Sequence, residues 1–359
     1  DYTAKNNLVA VVSDGSAVLG FGNIGPWAAL PVMEGKSILF KTFGGVEAYP
    51  LCLATQEVDV LVDAVRGLAP AFGGINLEDI AAPRCFEVER RLQELLDIPV
   101  FHDDQHGTAV VVLAGLMNAF RIRGSEFSTA RIVLNGAGAA AIAVTRLLLE
   151  AGARDVTVCD RSGAIYRGRR GGMNAYKHDL AERTNPDGRK GGLPEVLAGA
   201  DVFVGLSAAG AVTPEMVRSM APDPIVFALA NPVPEILPDE AREAGAAIVA
   251  TGRSDFPNQV NNSLAFPGIF RGALDVRARR IDEGMKLAAA HAIADSVRAE
   301  ELGAEKIVPA AMDFSVPPRV AEAVARAAQA SGVARIPMDP EEVSRRLTEY
   351  IYEERFVRE

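Results

Sequence analysis

The sequence has few cysteines and histidines and no long apolar run. Its 359 residues include three Cys and four His, and Cys52, Cys85 and Cys159 show no CxxC spacing. This usage predicts reduced thiols and a cytoplasmic protein. The longest apolar run, residues 109–117, is interrupted by Gly115 and is too short to span a bilayer. No signal peptide is visible. Because no apolar run is long enough to span a bilayer and the chain is acidic, we expect no membrane partner.

Positive charge is also in deficit. Lys and Arg number 37 against 47 Asp and Glu, a net charge of −10, so the chain has no electrostatic footprint for nucleic acid. The 49% apolar and 23% charged residues are ordinary for a globular protein, and the length predicts two domains. We expect a homodimer or a larger homo-oligomer. The opening Asp1-Tyr2-Thr3 is typical of the interior of a longer chain.

Short β-branched runs alternate with helical stretches, which is typical of α/β architecture. Residues 8–12 and 17–19, separated by Ser13-Asp14-Gly15, predict a hairpin, and residues 85–96 and 107–122 have helical spacing. Further short apolar runs occupy residues 37–40, 49–53, 74–77 and 98–101. Five later runs predict buried strands of a parallel sheet: residues 131–134, 156–159, 202–206, 225–229 and 246–250.

These elements predict an α/β fold with a Rossmann-type, doubly wound parallel sheet over residues 126–268. A smaller α/β domain over residues 1–125 would bind substrate and metal. The helices of residues 269–359 would pack back on this smaller domain and complete it. Residues 161–192 are rich in Gly, Arg and Asn, which predicts an exposed excursion from the larger domain.

A glycine-rich loop follows the first strand of the larger domain. It is a GxGxxA run that leads into a helix, made of Gly136, Ala137, Gly138, Ala139, Ala140 and Ala141. Gly136 permits a tight turn, and Gly138 lets the backbone approach a pyrophosphate at the helix N-terminus. Asp160 ends the next strand, where a carboxylate accepts ribose hydroxyls. Strand, loop, helix and acid in this order predict NAD binding rather than a turn without ligand.

NADP stays possible, because an arginine beside Asp160 could accept a 2′-phosphate. The nearby arginines are Arg161, Arg167, Arg169 and Arg170. We interpret them as part of a solvated loop and therefore favour NAD. A second glycine group, residues 20–25, lacks an acidic residue at the right distance, and we interpret it as a close-packed turn beside the active site.

Four carboxylates follow two short strands. Glu78 and Asp79 come directly after an apolar run, and Asp103 and Asp104 follow the next one. Adjacent parallel strands end at one edge of a sheet, where four carboxylates repel one another unless a cation is present. Hard oxygen ligands of this kind predict Mg²⁺ or Mn²⁺.

Two other interpretations of this segment stay open. His102 and His106 lie four residues apart, a spacing that could bind zinc if both were on one helix face. Asp103 or Asp104 could instead cap a helix that starts near Gly107. Capping does not account for the carboxylates that follow the other strand.

Lys36 is a candidate general base. A partly desolvated lysine beside a cation has a lowered pKa, although composition alone makes a surface lysine the commoner case. Asn231 follows a buried strand at the edge of the nucleotide domain, and we expect it to contact a ligand. Asn261 and Asn262 could equally hold an Asx turn.

Several of these motifs together closely resemble the malic enzymes in their short bacterial form. The resemblance extends over essentially the whole chain and rests on residues 14–25 (DGSAVLGFGNIG), 31–36 (PVMEGK), 72–79 (FGGINLED), 101–108 (FHDDQHGT), 135–141 (NGAGAAA), 227–232 (FALANP) and 251–270 (TGRSDFPNQVNNSLAFPGIF). It implies oxidative decarboxylation of L-malate to pyruvate and CO₂ with NAD(P)⁺ and Mg²⁺ or Mn²⁺.

The resemblance also implies residue roles. Glu78, Asp79 and Asp104 match the family's metal ligands, and Lys36 matches its general base. Asp103 matches an acid behind the metal ligands. Two further positions, Asn231 and Asn262, match residues that contact malate or the nicotinamide.

Two departures from the family pattern are visible. The family's catalytic tyrosine lies in a Tyr-Thr-Pro segment upstream of the counterpart of residue 1, and none of the six tyrosines here has that context. Either an N-terminal segment is missing from the sequence, or the enolate is protonated differently. Ala17 stands where larger relatives have a malate-binding arginine. Two alternatives therefore accompany the main hypothesis: a nucleotide- and dicarboxylate-binding regulatory domain, and a 2-hydroxy-acid dehydrogenase that does not decarboxylate.

Overall fold

The structure, a computed structural model, describes residues 2–356 and confirms the predicted α/β fold. The chain divides into two compact units. The first comprises residues up to 110, residues 262–296 and residues from 311 on, and the second comprises residues 111–261 and 297–310. Between residues 2 and 356, no helix combines the length and apolar character needed to cross a membrane. Cys52, Cys85 and Cys159 are free thiols.

The first unit is built on a four-stranded parallel sheet. Its strands are β1 (Leu8–Ser13), β2 (Glu47–Cys52), β3 (Gly74–Leu77) and β4 (Val100–His102), in the spatial order β2-β1-β3-β4. Strands β1, β3 and β4 are almost wholly buried, as continuous apolar runs in a covered parallel sheet must be. The order places the carboxyl ends of β3 and β4 side by side.

Helices make up the rest of this unit. They are α1 (Gly25–Gly44), α2 (Val58–Leu68), α3 (Arg84–Leu95), the start of α4 (Asp103–Arg123), α10 (Phe266–Asp275), α11 (Glu283–Ala294), α12 (Val316–Ala330) and α13 (Pro340–Phe356). Helix α12 packs against α10, α11 and α13, and α10 packs against α1. Phe40, Phe101, Phe266 and Phe270 form an aromatic core with ring centroids 4.6–5.7 Å apart.

The second unit contains the six-stranded sheet. Its strands are β5 (Arg131–Asn135), β6 (Asp155–Asp160), β7 (Gly163–Ala164), β8 (Val202–Gly205), β9 (Ile225–Ala228) and β10 (Ile248–Thr251), in the order β10-β9-β8-β5-β6-β7. All pairs are parallel except the short β6–β7 pair. The helices of this unit are the rest of α4, α5 (Ala139–Glu150), α6 (Ala175–Arg183), α7 (Leu193–Leu197), α8 (Pro214–Arg218) and α9 (Pro238–Glu243). The five strands predicted for this sheet are confirmed within two residues.

The predicted hairpin at the start of the chain is wrong. Strand β1 pairs in parallel with β2 and β3, and residues 17–19 make only an isolated bridge between Val18 and Gly22. Gly15 does turn the chain, with φ of 65°. Its backbone packs so closely against Gly25, the first residue of α1, that a Cβ on Gly15 would lie 2.2 Å from the carbonyl oxygen of Gly25. The turn therefore leads toward α1 instead of folding a second strand back on β1.

Two other expectations need correction, and the apolar run at residues 37–40 is not a strand. Residues 37–40 belong to α1, because Met33, Lys36 and Phe40 share a buried face at helical spacing. Helix α4 starts at Asp103, directly after β4, and not near Gly107. The segment of residues 161–192 is not a plain exposed excursion, because it contains β7 and α6.

Candidate functional site

The structure brings together three of the four predicted carboxylates. Glu78 and Asp79 follow β3, Asp104 lies in the first turn of α4, and one oxygen of each lies within 4.8 Å of the others. Glu78 and Asp79 are buried, whereas Asp104 is half-exposed. Strands β3 and β4 are neighbours, so their ends deliver these side chains to one point although residues 78 and 104 are far apart in sequence.

Hydrogen bonds from backbone and side-chain groups position the three acidic residues. Asp79 has a left-handed φ of 55°, which is uncommon for a residue other than glycine. In that conformation its N–H donates to Oδ2 of Asp104 at 2.8 Å, and its carbonyl accepts from the N–H of Ala17 at 2.9 Å. The amide of Asn76 donates to Oε2 of Glu78 at 2.8 Å.

The electrostatics of the three carboxylates favour a cation. Burial, together with the neighbouring charges of Asp104 and Glu78, raises the pKa of Asp79 to about 9. Burial also raises the pKa of Glu78 and of Asp104 above their usual ranges. Three carboxylate oxygens so close together are the hard donor set that Mg²⁺ and Mn²⁺ prefer, and a divalent cation removes their mutual repulsion.

Lys36 is a buried residue of α1 and not a surface lysine. Its ammonium donates to Oε1 of Glu78 at 3.0 Å and to Oδ2 of Asp103, and Nζ lies 4.0 Å from the centre of the Phe266 ring. Burial opposes the charge, but the carboxylates of Asp103 and Glu78 outweigh it and raise the pKa of Lys36 above its ordinary value. The expected lowered pKa is therefore not found in this arrangement, because two acids rather than a cation face the lysine.

Asp103 lies behind the three carboxylates and binds other partners. It is completely buried, and Oδ2 accepts from Lys36 and from the amide of Asn262 at 2.5 Å. A Cβ on Gly107 would lie 1.9 Å from Oδ1 of Asp103, so only glycine leaves room for this carboxylate. Burial and the nearby Glu78 raise the pKa of Asp103 to about 8, against the opposing effect of Lys36.

The zinc and capping interpretations of this segment are not supported. His102 ends β4, and His106 lies 2.8 Å from Glu89. Within residues 2–356, the His, Cys, Asp and Glu side chains that lie close enough together to hold a metal ion are Glu78, Asp79 and Asp104, with neither histidine among them. Asp103 and Asp104 are first-turn residues of α4 whose carboxylates bind Lys36 and the N–H of Asp79.

The predicted nucleotide loop has the expected geometry in the second unit. Gly136 follows β5 with φ of 130°, and a Cβ there would lie 2.5 Å from the carbonyl oxygen of Leu206. Gly138 is the N-cap of α5, and a Cβ there would meet nothing within 4 Å, so a phosphate could approach its backbone. Ala141 is buried against the sheet. A cleft of about 580 Å³ adjoins the loop and is lined by Gly136, Ala137, Asp160, Lys177, Leu193 and Ser207, among others.

Asp160 lies in this cleft but is already paired. Both of its oxygens accept from Arg169 at 2.8 and 3.0 Å, and Oδ2 also accepts from Lys177 at 2.7 Å. Burial opposes the charge, but these two cations hold the pKa of Asp160 below its usual range. Arg169 is only 7% exposed, so its assignment to a solvated loop is wrong.

The positions of the asparagines are mixed. Asn231 is half-buried in the second unit, and its amide donates to the carbonyl of Leu229 at 3.3 Å. Asn262 opens a short 3₁₀ helix (Asn262–Leu264) in the first unit and bonds to Asp103, which favours a role at the site over a plain turn. Its neighbour Asn261 belongs to the second unit.

Sequence reasoning missed Lys177, Glu235 and Glu89. Glu235 is completely buried and accepts from the backbone N–H groups of Ser207 and Ala230, which fixes the loops after β8 and β9. No local signal distinguishes Lys177 and Glu89 from surface charges. Only a search for single acidic residues in apolar surroundings could have singled out Glu235.

The fold and these two clusters define a class of proteins in which a Rossmann sheet accompanies a separate α/β unit with a carboxylate–lysine cluster. Two family models match the chain: "Malic enzyme, N-terminal domain" over residues 1–93 and "Malic enzyme, NAD binding domain" over residues 105–329. The chain belongs to the malic enzyme family, which confirms the resemblance seen in its motifs.

Individual relatives agree with this assignment. The bifunctional malic/malolactic enzyme of Bacillus subtilis is 61% identical over 344 residues, which are 96% of this chain and 84% of that protein. The NAD-dependent malic enzyme of Geobacillus stearothermophilus is 59% identical over 333 residues, 93% of this chain and 69% of that protein. The crystal structure of malic enzyme from Pyrococcus horikoshii is 50% identical and has a TM-score of 0.92, covering 99% of this chain and 84% of that one.

Proposed function

We propose that this protein catalyses the NAD(P)⁺-dependent oxidative decarboxylation of L-malate to pyruvate and CO₂. The observation that carries the proposal is the cluster of Glu78, Asp79 and Asp104 against the buried Lys36, in a chain of the malic enzyme family. The glycine loop at Gly136 in the Rossmann unit supports the nucleotide part of the reaction.

Each cluster has a role in this proposal. Glu78, Asp79 and Asp104 hold Mg²⁺ or Mn²⁺, and Gly136–Ala141 with Asp160 hold the dinucleotide. A divalent cation bound there supplies a Lewis acid for the 2-hydroxyl of malate and offsets the carboxylate charge that keeps Lys36 protonated. The first unit is then the substrate and metal domain, and the second unit is the dinucleotide-binding domain.

Lys36 takes the hydroxyl proton at Nζ in this proposal, and a dinucleotide held by the loop at Gly136 would supply the hydride acceptor. Asp103 accepts from Nζ through Oδ2 and holds the lysine from its buried side. The amide of Asn262 donates to the same oxygen of Asp103 that binds Lys36, so Asn262 lies beside the proposed base. In this proposal its amide would orient a malate carboxylate. Asn231 would contact the nicotinamide.

The two alternatives explain the cluster less well. A regulatory binding domain does not need a buried Lys–Asp pair beside its ligand, because burying charges costs several kcal/mol. A simple hydroxy-acid dehydrogenase does not need three metal-binding carboxylates to stabilise an enolate. Neither alternative is favoured by the family assignment.

The decisive experiment is a product balance on the full-length purified protein. With L-malate, NAD⁺ or NADP⁺ and Mg²⁺ or Mn²⁺, we expect equal amounts of pyruvate, CO₂ and reduced nucleotide. Reduced nucleotide with oxaloacetate and no CO₂ would indicate the simple dehydrogenase. Binding of nucleotide and malate without either product would indicate the regulatory domain.

The nucleotide preference follows from the neighbours of Asp160. Arg169 and Lys177 neutralise its charge, which weakens the repulsion that a bare carboxylate exerts on a 2′-phosphate. We therefore propose that NAD⁺ binds through the carboxylate and that NADP⁺ is also accepted, with Lys177 as the phosphate partner.

Exposed apolar residues on and near α1 support a homo-oligomer. Helix α1 is apolar on both faces: Met33 and Phe40 face the core, whereas Trp27 (85% exposed) and Ile38 (63% exposed) face outward. A helix that is apolar all round is normally buried. Phe21, just before the helix, is 75% exposed, and we call this outer surface with Leu19, Phe21, Trp27, Leu30, Ile38 and Tyr49 the α1 face.

We propose that a second copy of the chain covers the α1 face. Its side chains present on the order of 800 Å² of apolar surface, which is what each partner contributes to a standard interface. Two copies with net charge −10 repel each other, so contact is favoured where charge is scarce. We propose a cytoplasmic location for this assembly, because free thiols such as the three cysteines here are typical of a reducing compartment.

A further inference from the structure

Glu89 is a buried carboxylate of α3 that the proposed chemistry does not use. It is 6% exposed, and its two oxygens contact three residues of one neighbouring segment. Oε1 accepts from the backbone N–H of His102 at 3.1 Å and lies 2.8 Å from Nε2 of His106. Oε2 accepts from the amide of Gln105 at 3.1 Å. A single side chain of α3 thus holds both sides of the Asp103-Asp104 pair.

That segment is the junction at which β4 ends and α4 begins. Asp104 reaches the N–H of Asp79 from one side of the junction, and Asp103 reaches Lys36 from the other. A displacement of the junction would move both carboxylates at once. An error of about 1 Å at such ligands is enough to impair a functional site.

An apolar residue at position 89 would pack against the junction at a lower desolvation cost than a carboxylate. A buried carboxylate costs several kcal/mol unless donors surround it, and an apolar side chain of the same volume avoids that cost. Here the donors are specific, and the network extends further: Nζ of Lys286 lies 3.3 Å from Nδ1 of His106 and donates to Glu283 at 2.5 Å. Lys286 is itself only 5% exposed and belongs to α11.

We propose that Glu89 is a positioning residue for the metal site. It binds the β4–α4 junction through His102, Gln105 and His106, so that Asp104 points at the metal position and Asp103 at Lys36. Lys286 keeps His106 in place from the opposite side. This inference rests on the proposed function, because it requires the divalent cation at Glu78, Asp79 and Asp104.

The test is a Mn²⁺ titration of the full-length protein, with free Mn²⁺ followed by its electron paramagnetic resonance signal. Glu89→Gln keeps the shape of the side chain but presents an NH₂ group to a donor. We expect the Kd for Mn²⁺ to rise about 10- to 100-fold, which is typical for partners that orient metal ligands. The Kd for NAD⁺ should stay unchanged, and saturating Mn²⁺ should restore most of kcat.

The matched control is Glu87→Gln on the same helix. Glu87 is half-exposed and pairs with Arg90, so Mn²⁺ binding should equal that of the unmodified protein. Should Glu89→Gln fail to fold, Gln105→Met removes one of the three contacts and is expected to weaken Mn²⁺ binding by a smaller factor.

Unchanged Mn²⁺ affinity in the folded Glu89→Gln or Gln105→Met protein would overturn the inference, even with a lower Tm. Failure of the proposed function would look different. In that case the unmodified protein would bind Mn²⁺ no better than an Asp104→Asn variant, and the inference would fall with the metal site.

Discussion

At the scale of single residues, Lys36 is the cation in a buried group of acids. Its contacts with Glu78 and Asp103 keep it protonated in the structure described here, and its position beside the metal-binding carboxylates makes it the proposed base. Lys36 is thus protonated beside the uncompensated acids, and in our proposal it is neutral and acts as the base when a cation offsets their charge.

Changing Lys36 to Ala should lower kcat by a factor of about 10² to 10⁴, the usual contribution of a positioned acid–base group. Oxidation of malate and reduction of oxaloacetate should both be affected, because both need the same proton transfer. Steady-state kinetics in both directions measure the effect. Lys41→Ala is the control, since Lys41 lies on the same helix but pairs with Glu47 at the surface. A kcat unchanged by Lys36→Ala would remove this residue from the mechanism.

Changing Lys177 to Gln should shift the nucleotide preference toward NAD⁺. The variant loses the cation that lies 2.7 Å from Asp160 in the nucleotide cleft, so a 2′-phosphate meets a less compensated carboxylate. We expect kcat/KM for NADP⁺ to fall roughly tenfold, which corresponds to one charge-assisted hydrogen bond, while the value for NAD⁺ changes little.

Lys190→Gln is the control for the nucleotide prediction. Its ammonium lies over the Tyr166 ring, 5.1 Å from the centroid, in the same unit. Equal losses for both nucleotides in Lys177→Gln would show that Lys177 supports the fold of the cleft instead of selecting the phosphate.

At the scale of elements, the start of α4 shows how propensity and function conflict. Glycine lowers helix stability by about 0.5–1 kcal/mol relative to alanine, so Gly107 weakens the first turns of α4. The same glycine leaves the space that the carboxylate of Asp103 occupies. Packing at the site, and not helix propensity, therefore decides the residue at this position.

Changing Gly107 to Ala should reduce malate turnover by at least tenfold, because the new Cβ would lie 1.9 Å from Oδ1 of Asp103 and displace it from Lys36. Kinetics and thermal unfolding should be measured together. Gly67→Ala in α2 is the control, because nothing lies within 4 Å of a Cβ at this position. The free energy of unfolding of this variant should increase by about 0.5–1 kcal/mol, and its activity should be unchanged. Normal turnover in Gly107→Ala would mean that Asp103 can move without consequence.

At the scale of the whole molecule, the α1 face connects assembly with catalysis. The helix that presents Trp27 and Ile38 outward carries Lys36 on its opposite, buried face. A second copy packed on this face would therefore stabilise the helix on which the proposed base is held.

Changing Trp27 to Glu should dissociate the oligomer, because two copies would then place charges in an apolar contact. Sedimentation velocity should show a species of one chain at concentrations where the unmodified protein shows two or more. Tyr352→Glu, an exposed residue of α13, is the control and should leave the mass unchanged. A monomeric unmodified protein would contradict the proposal, and a segment of the full-length chain or another protein would then cover the α1 face.

Local sequence patterns by themselves determined the family, the fold class and most of the elements. The strands of the larger sheet, the glycine loop at Gly136 and the carboxylate pairs after β3 and β4 follow from periodicity and from residues adjacent in the chain. Such features can be predicted from the sequence because a buried parallel strand must be a continuous apolar run, and a phosphate loop must combine glycine with a helix N-terminus.

Only the tertiary structure decided which groups meet. Lys36 and Asp103 are 67 positions apart, and no local pattern shows that a lysine on an apolar helix will face an acid after another strand. The pairing of Asp160 with Arg169 and the failed hairpin at residues 17–19 have the same cause. The partner of a charge or a strand is set by the packing of distant segments, because the free energy of burying a charge depends on everything that surrounds it and not on its neighbours in sequence.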